Sequence, residues 1–77
     1  MTKKISIYST PSCTYCKTAK EYFNKNNIKY VEYDVSTDID RRKEMVSLSE
    51  QMGVPVITID DKFITGWDEL KFNNLLY

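Results

Sequence analysis

Apolar residues change period several times along this chain, and each change marks an element. Lys4–Ser9 alternates Ile5 and Ile7 with polar neighbours, the pattern of a strand with one buried face. Thr10-Pro11-Ser12 interrupts it. From Cys13 to about Asn26 the spacing turns helical, with Cys16, Ala19 and Phe23 on one side and Glu21 and Lys25 as an i,i+4 pair on the other. Asn26-Asn27 ends that helix, and Lys29–Val35 alternates again, with Val31, Tyr33 and Val35 on one face. Ser36, Thr37 and Asp38 are good helix caps, so a second helix is predicted from about Ile39. Met45, Leu48 and Met52 form its expected buried stripe, and Gly53 followed by Pro55 is expected to stop it.

Val54–Ile59 is the most β-prone stretch of the chain, and Asp60-Asp61 turns it back into Lys62–Thr65 as a hairpin. Gly66 breaks the pattern. Asp68 and Glu69 suit the electropositive start of a helix, and Leu70 with Leu75 or Leu76 predicts a short final one. The order is β-α-β-α-β-β-α. A parallel pair needs a crossover, which the first helix is long enough to supply, and the hairpin adds antiparallel strands. The expected fold class is α/β, a mixed four-stranded sheet with helices on both faces. With 77 residues, a single domain spanning 1–77 is expected.

Composition narrows the chemistry. Eleven basic residues balance 11 acidic ones, which argues against a nucleic-acid binder built on clustered cations. No apolar run approaches the ~20 residues of a membrane span. The first ten residues lack the apolar stretch of a signal peptide, so the cytoplasm is the expected location. The chain has no histidine, which removes imidazole-based triads and metal sites. Its 2 cysteines supply too few ligands for a closed zinc site.

Those cysteines stand in Cys13-Thr14-Tyr15-Cys16, where the first strand gives way to the first helix. Helix geometry sets their Cα atoms roughly 5 Å apart, inside the range a disulfide spans, so the pair opens and closes with little backbone movement. Cys13 faces unpaired amide N–H groups and the positive end of the helix dipole, both of which favour a thiolate. Cys16 lies one turn further in and is expected to be more buried. The implied chemistry is attack by Cys13 on a disulfide, then displacement by Cys16. A structural disulfide is the plainer reading, yet a bridge over so short a loop constrains the unfolded chain little.

Four segments in order resemble the glutaredoxin family of the thioredoxin fold, over essentially the whole chain. Ile7-Tyr8-Ser9 leads into a motif similar to the family's Cys-Pro-Tyr-Cys. Gly53-Val54-Pro55-Val56-Ile57 resembles its Thr-Val-Pro segment, and Ile64-Thr65-Gly66-Trp67-Asp68-Glu69 resembles the Gly-Gly-x-Asp-Asp run before the last helix. The resemblance implies a thiol–disulfide oxidoreductase in which Cys13 is the nucleophile and Cys16 the resolving thiol. It implies a cis Pro55, backbone groups of Val54 free to pair with a peptide or glutathione, and Tyr15, Gly66 and Trp67 along the substrate groove. Asp68 would bind the glutamyl amine of glutathione, cap the last helix, or do both.

Thr10, Thr14 and Thr65 depart from the family pattern, Thr10 standing where a lysine is usual. Trp67 is reminiscent of redoxins that accept electrons from thioredoxin reductase and serve ribonucleotide reductase; Trp67, Tyr8 and Phe63 equally suit a core. Arg41, Arg42 and Lys43 could supply a contact to a carboxylate, although a charge run at a helix start reads more plainly as a solvated face. The implied partners are glutathione or thioredoxin reductase as electron donor and disulfide-containing proteins as substrates. A monomer without tightly bound cofactor or metal is expected. An iron–sulfur carrier, sharing a cluster between two chains, is the alternative from another class.

Overall fold

The computed structural model of the chain describes residues 3–76. Strand β1 (Ile5–Ser9) leads into helix α1 (Thr14–Lys25), then strand β2 (Val31–Asp34) and helix α2 (Ile39–Ser49). Strands β3 (Val56–Ile59) and β4 (Lys62–Thr65) form the hairpin before helix α3 (Glu69–Leu76). The sheet order is β2-β1-β3-β4. β1 and β2 are parallel, with Tyr8 opposite Tyr33, while β3 runs antiparallel to both β1 and β4. This is the mixed four-stranded α/β arrangement that the order of periods predicted, and the thioredoxin-like fold that the family resemblance implied.

Side-chain alternation sorts the helices onto two faces. Ile5, Ile7, Ile57, Ile59 and Ile64 point to the side where α1 contributes Cys16, Ala19 and Phe23 and α3 contributes Phe72. Tyr8, Val35 and Val56 point to the other side, where Met45 of α2 packs on them. Each fully buried large side chain stabilises the fold by roughly 1.5–3 kcal/mol. The first face carries the larger cluster, and its aromatic part is dense: Phe23 and Phe72 rings lie 5.0 Å apart and Trp67 and Phe72 rings 5.5 Å apart.

Local chemistry fixes the helix ends. Asp38 caps α2 by accepting the Arg41 N–H at 3.1 Å. Asp68 accepts the Lys71 N–H at 3.1 Å at the start of α3. Asp60 takes a left-handed conformation (φ 55°) in the hairpin turn, and its carboxylate accepts the Lys4 N–H at 2.8 Å, tying the turn to the entry of β1.

Five expectations are corrected. Helix α2 stops at Ser49, not at Gly53, because Glu50 adopts the left-handed conformation (φ 59°) and its N–H closes on the Val46 carbonyl. Met52 therefore lies beyond the helix and is 65% exposed, and Leu48 sits at the margin of the buried side at 38%. Leu70 is 72% exposed, and the buried residue of α3 is Phe72. Helical angle explains this: Phe72, Leu75 and Leu76 share one stripe, and Leu70 falls opposite it. Phe63 is exposed rather than core, and Tyr8 is buried. The cation–carboxylate pairs found among the described residues are Lys20–Glu32 and Arg41–Glu44, not Glu21–Lys25. The strand expected over Val54–Ile59 begins only at Val56, leaving Val54 and Pro55 outside the ladder.

Candidate active site

The turn after β1 closes when the Cys13 N–H donates to the Thr10 carbonyl at 3.2 Å. Cys13 itself is extended (φ −86°, ψ 112°), the conformation of a helix cap, and its Sγ accepts the Cys16 N–H at 3.1 Å. Its carbonyl accepts the Lys17 N–H at 3.3 Å, starting the helix proper. Cys13 and Cys16 are disulfide-bonded with Cα atoms 5.2 Å apart, as helix geometry predicted. Cys16 is 1% exposed and belongs to the core under α1, whereas Cys13 is only partly buried. The first turn of α1 holds no acidic residue, so no carboxylate of that turn opposes a negative charge on the Cys13 sulfur. When the pair is reduced, the cap amide and the helix dipole both stabilise that charge.

The wall beside the pair comes from the start of β3. The Val54–Pro55 peptide is cis. Tyr8 pairs with Val56 in the β1–β3 ladder, so continuing the register one step sets Pro55 opposite Ser9, the strand end from which the loop to Cys13 departs. The Pro55 carbonyl accepts the Gly66 N–H at 2.8 Å, which joins the start of β3 to the run before α3. Gly66 has φ 74°, a conformation that favours glycine. Cys13, Val54 and Trp67 all pack against the same core cluster.

Sequence-predicted residues thus separate into groups. Cys13 and Cys16 are bonded, and Val54, Pro55 and Gly66 are held to each other by chain and hydrogen bond. Trp67 faces inward: its ring lies 5.3 Å from Tyr22 and 5.7 Å from Phe23. Tyr15 is 67% exposed on the first turn of α1. Asp68 is engaged in capping α3.

Two polar clusters escaped the sequence patterns. Buried Ser9 donates its hydroxyl to Glu32 at 2.8 Å, and Lys20 donates to the same carboxylate oxygen at 2.6 Å. The Lys20 hydrogen bond holds the Glu32 carboxyl below its ordinary range. On the other face Tyr8 donates to Glu44 at 2.5 Å, and Arg41 pairs with that carboxylate while stacking over the Tyr33 ring. Burial first, and then the Glu44 bond, push the Tyr8 hydroxyl well above its usual value. Arg41 was expected on a solvated helix face and instead pairs with Glu44 and covers Tyr33, and the other contacts join residues far apart in sequence.

The glutaredoxin family model matches residues 5–64, through the cysteine pair, the cis proline and β4. The chain belongs to the glutaredoxin family. A glutaredoxin-like 8.6 kDa protein encoded in a rubredoxin operon of Clostridium pasteurianum, itself uncharacterised, is 47% identical over 72 residues, covering 94% of this chain and 96% of its own. Glutaredoxin 3 of Escherichia coli K12 is 32% identical over 66 residues, covering 86% and 80%. Among solved structures, the thioredoxin-like protein BC3987 superposes with a TM-score of 0.88 at 32% identity, covering 95% of this chain and all of that one. As a member of the family with its Cys-x-x-Cys pair in place, this glutaredoxin-like chain is a thiol–disulfide oxidoreductase.

Proposed function

We propose that this redoxin reduces glutathione mixed disulfides and protein disulfides by a dithiol cycle, with Cys13 as nucleophile and Cys16 as resolving thiol. The observation that carries the reading is the asymmetry of the pair. The Cys13 sulfur caps α1 and is partly exposed, while Cys16 is buried behind it.

The cycle balances as follows. The Cys13 thiolate attacks one sulfur of the substrate disulfide; that S–S bond breaks, and the departing sulfur leaves as a thiolate that takes up a proton. Cys16 then loses its proton and attacks the Cys13 sulfur, releasing the second substrate thiol and leaving the Cys13–Cys16 disulfide. Two electrons have passed to the substrate. An external thiol donor, glutathione or a flavin-linked disulfide reductase, returns them.

Positioning falls to the opposite wall. Val54 lies outside the β3 ladder, so its main chain is placed to pair with an extended substrate segment. Gly66 continues that wall with the Trp67 ring packed beneath it, Tyr15 flanks Cys13, and the free oxygen of Asp68 is the site for an ammonium group. A reducing cytoplasm suits the cycle.

A second reading, reduction by thioredoxin reductase with ribonucleotide reductase as the acceptor, draws on Thr10. The family's usual lysine at that position would pair with the glycyl carboxylate of glutathione, and threonine carries no charge. A coupled NADPH assay separates the two readings. One arm contains glutathione and its reductase, and the other contains thioredoxin reductase. Turnover in the glutathione arm supports the first reading, turnover in the other arm alone replaces it with the second, and turnover in neither arm refutes both.

A further inference from the structure

Helix α2 and the loop after it form an apolar hollow of about 480 Å³, lined by Ile39, Arg42, Lys43, Val46, Ser47 and Met52. Ile39, Arg42, Lys43 and Val46 recur at i, i+3, i+4 and i+7, so they share one side of α2; Ile39, Arg42 and Lys43 are exposed, while Val46 lies at the inner margin and also packs against the cluster that holds Met45. Ile39 is 67% exposed and Met52 65%. Isolated apolar residues on a surface are ordinary; here they are grouped and set among charges, so a partner's apolar side chain can be buried there with charged groups at its rim.

Charge says what kind of partner fits. The hollow contains two cations and no carboxylate, in a chain whose formal net charge is 0. The neighbouring Arg41 is satisfied by Glu44, but neither Arg42 nor Lys43 belongs to an ion pair found among the described residues. Chain connectivity gives the third argument. Met52 precedes Val54 by two positions, so the edge of the hollow at Met52 lies within about 7 Å of the Val54 main chain.

We propose that this face of α2, with Met52, docks an acidic, apolar-bearing segment flanking the disulfide of a protein partner. The inference rests on the redox reading above and adds the partner's chemistry to it. Arg42 and Lys43 steer and pair with the acidic groups, and Ile39, Val46 and Met52 receive the apolar side chain. Small disulfides do not reach the face and gain nothing from it.

The test compares peptides that carry one disulfide and differ only in its flanks: Asp, Glu and Leu in one, Ser and Gly in another, Lys and Leu in a third. For the wild-type chain the acidic flanks should raise kcat/KM roughly tenfold over the neutral ones at low salt, equivalent to about 1.4 kcal/mol. That advantage should shrink as salt rises. The double variant R42E/K43E should lose the preference and favour the lysine-flanked peptide. I39S/M52S should halve the gain or more while keeping its salt dependence. Both variants should turn over an uncharged small disulfide, hydroxyethyl disulfide, at the wild-type rate.

Equal kcat/KM for all peptides, or an acidic preference that survives in R42E/K43E, would overturn the proposal. So would sedimentation showing a dimer that R42E/K43E dissociates, or anionic vesicles binding the wild type and not the variant, since the face would then belong to a second copy or to lipid. Failure of the wild type to reduce hydroxyethyl disulfide would bring down the redox reading itself, and this inference with it.

Discussion

Replacing Phe72 by alanine should loosen α3 and expose the aromatic layer beneath it. Phe72 is fully buried and is the one buried residue of that helix. Its ring meets Phe23 at 5.0 Å, Trp67 at 5.5 Å and, edge-on, Tyr22 at 6.1 Å between centroids. Truncating a buried phenylalanine costs about 3–5 kcal/mol. A domain of this length holds roughly 4–11 kcal/mol in total, so the variant should be marginal and its melting temperature lower by ~12 °C or more. Leu70→Ala, one helical face away, should change stability by less than about 0.5 kcal/mol, because Leu70 is 72% exposed. Urea unfolding under reducing conditions measures both, and the single tryptophan, Trp67, is the reporter because it packs directly on Phe72. Its emission should shift to the red in Phe72→Ala before any denaturant is added. A loss below about 1 kcal/mol for Phe72→Ala, or equal losses for the two variants, would refute the assignment of the buried stripe.

The remaining predictions concern chemistry and pH. Cys13→Ser should abolish turnover of every disulfide, while Cys16→Ser should lose protein disulfides and keep glutathione mixed disulfides; a coupled NADPH assay reads both. Tyr8→Phe removes the hydroxyl that lowers the Glu44 titration and should cost about 1 kcal/mol in denaturant unfolding, since Glu44 can regain water. The Glu32 carboxyl is depressed from 4.5, chiefly by Lys20, so its contribution is present above its unfolded value and is lost as pH falls through its folded one. Glu32→Gln should therefore flatten the stability profile on the acid side and leave the slope near neutrality alone, as unfolding at a series of pH values will report. Asp68→Ala should lower the stability of α3 by about 1 kcal/mol through the lost cap, and a rise in KM for glutathione without a fall in kcat would add the proposed ammonium contact.

Much of this architecture was legible because burial leaves a period in the sequence. Ile5 and Ile7, then Cys16, Ala19 and Phe23, then the β-prone run ending at Ile59 each named an element and its inward side. The cysteine spacing announced the 5.2 Å approach found at the head of α1. What misled was the stopping of helices. A left-handed glutamate at position 50 ends α2 where no glycine announces it, and Met52, in phase with Met45 had the helix continued, is left in solvent. On α3 the apolar residues outnumber the places beneath them, and only the angle between Leu70 and Phe72 tells which is buried. Contacts across the fold, such as Ser9 to Glu32 or Tyr8 to Glu44, depend on register and on helix placement, and no local pattern records those.

The Cys16 amide that points at the Cys13 sulfur has a consequence for the life of the molecule between encounters. The same backbone geometry accommodates the covalent bridge and, after its opening, offers the freed sulfur a hydrogen-bond donor 3.1 Å away. Opening the bridge therefore asks for no new donor to be brought to that sulfur, since the cap amide already points at it.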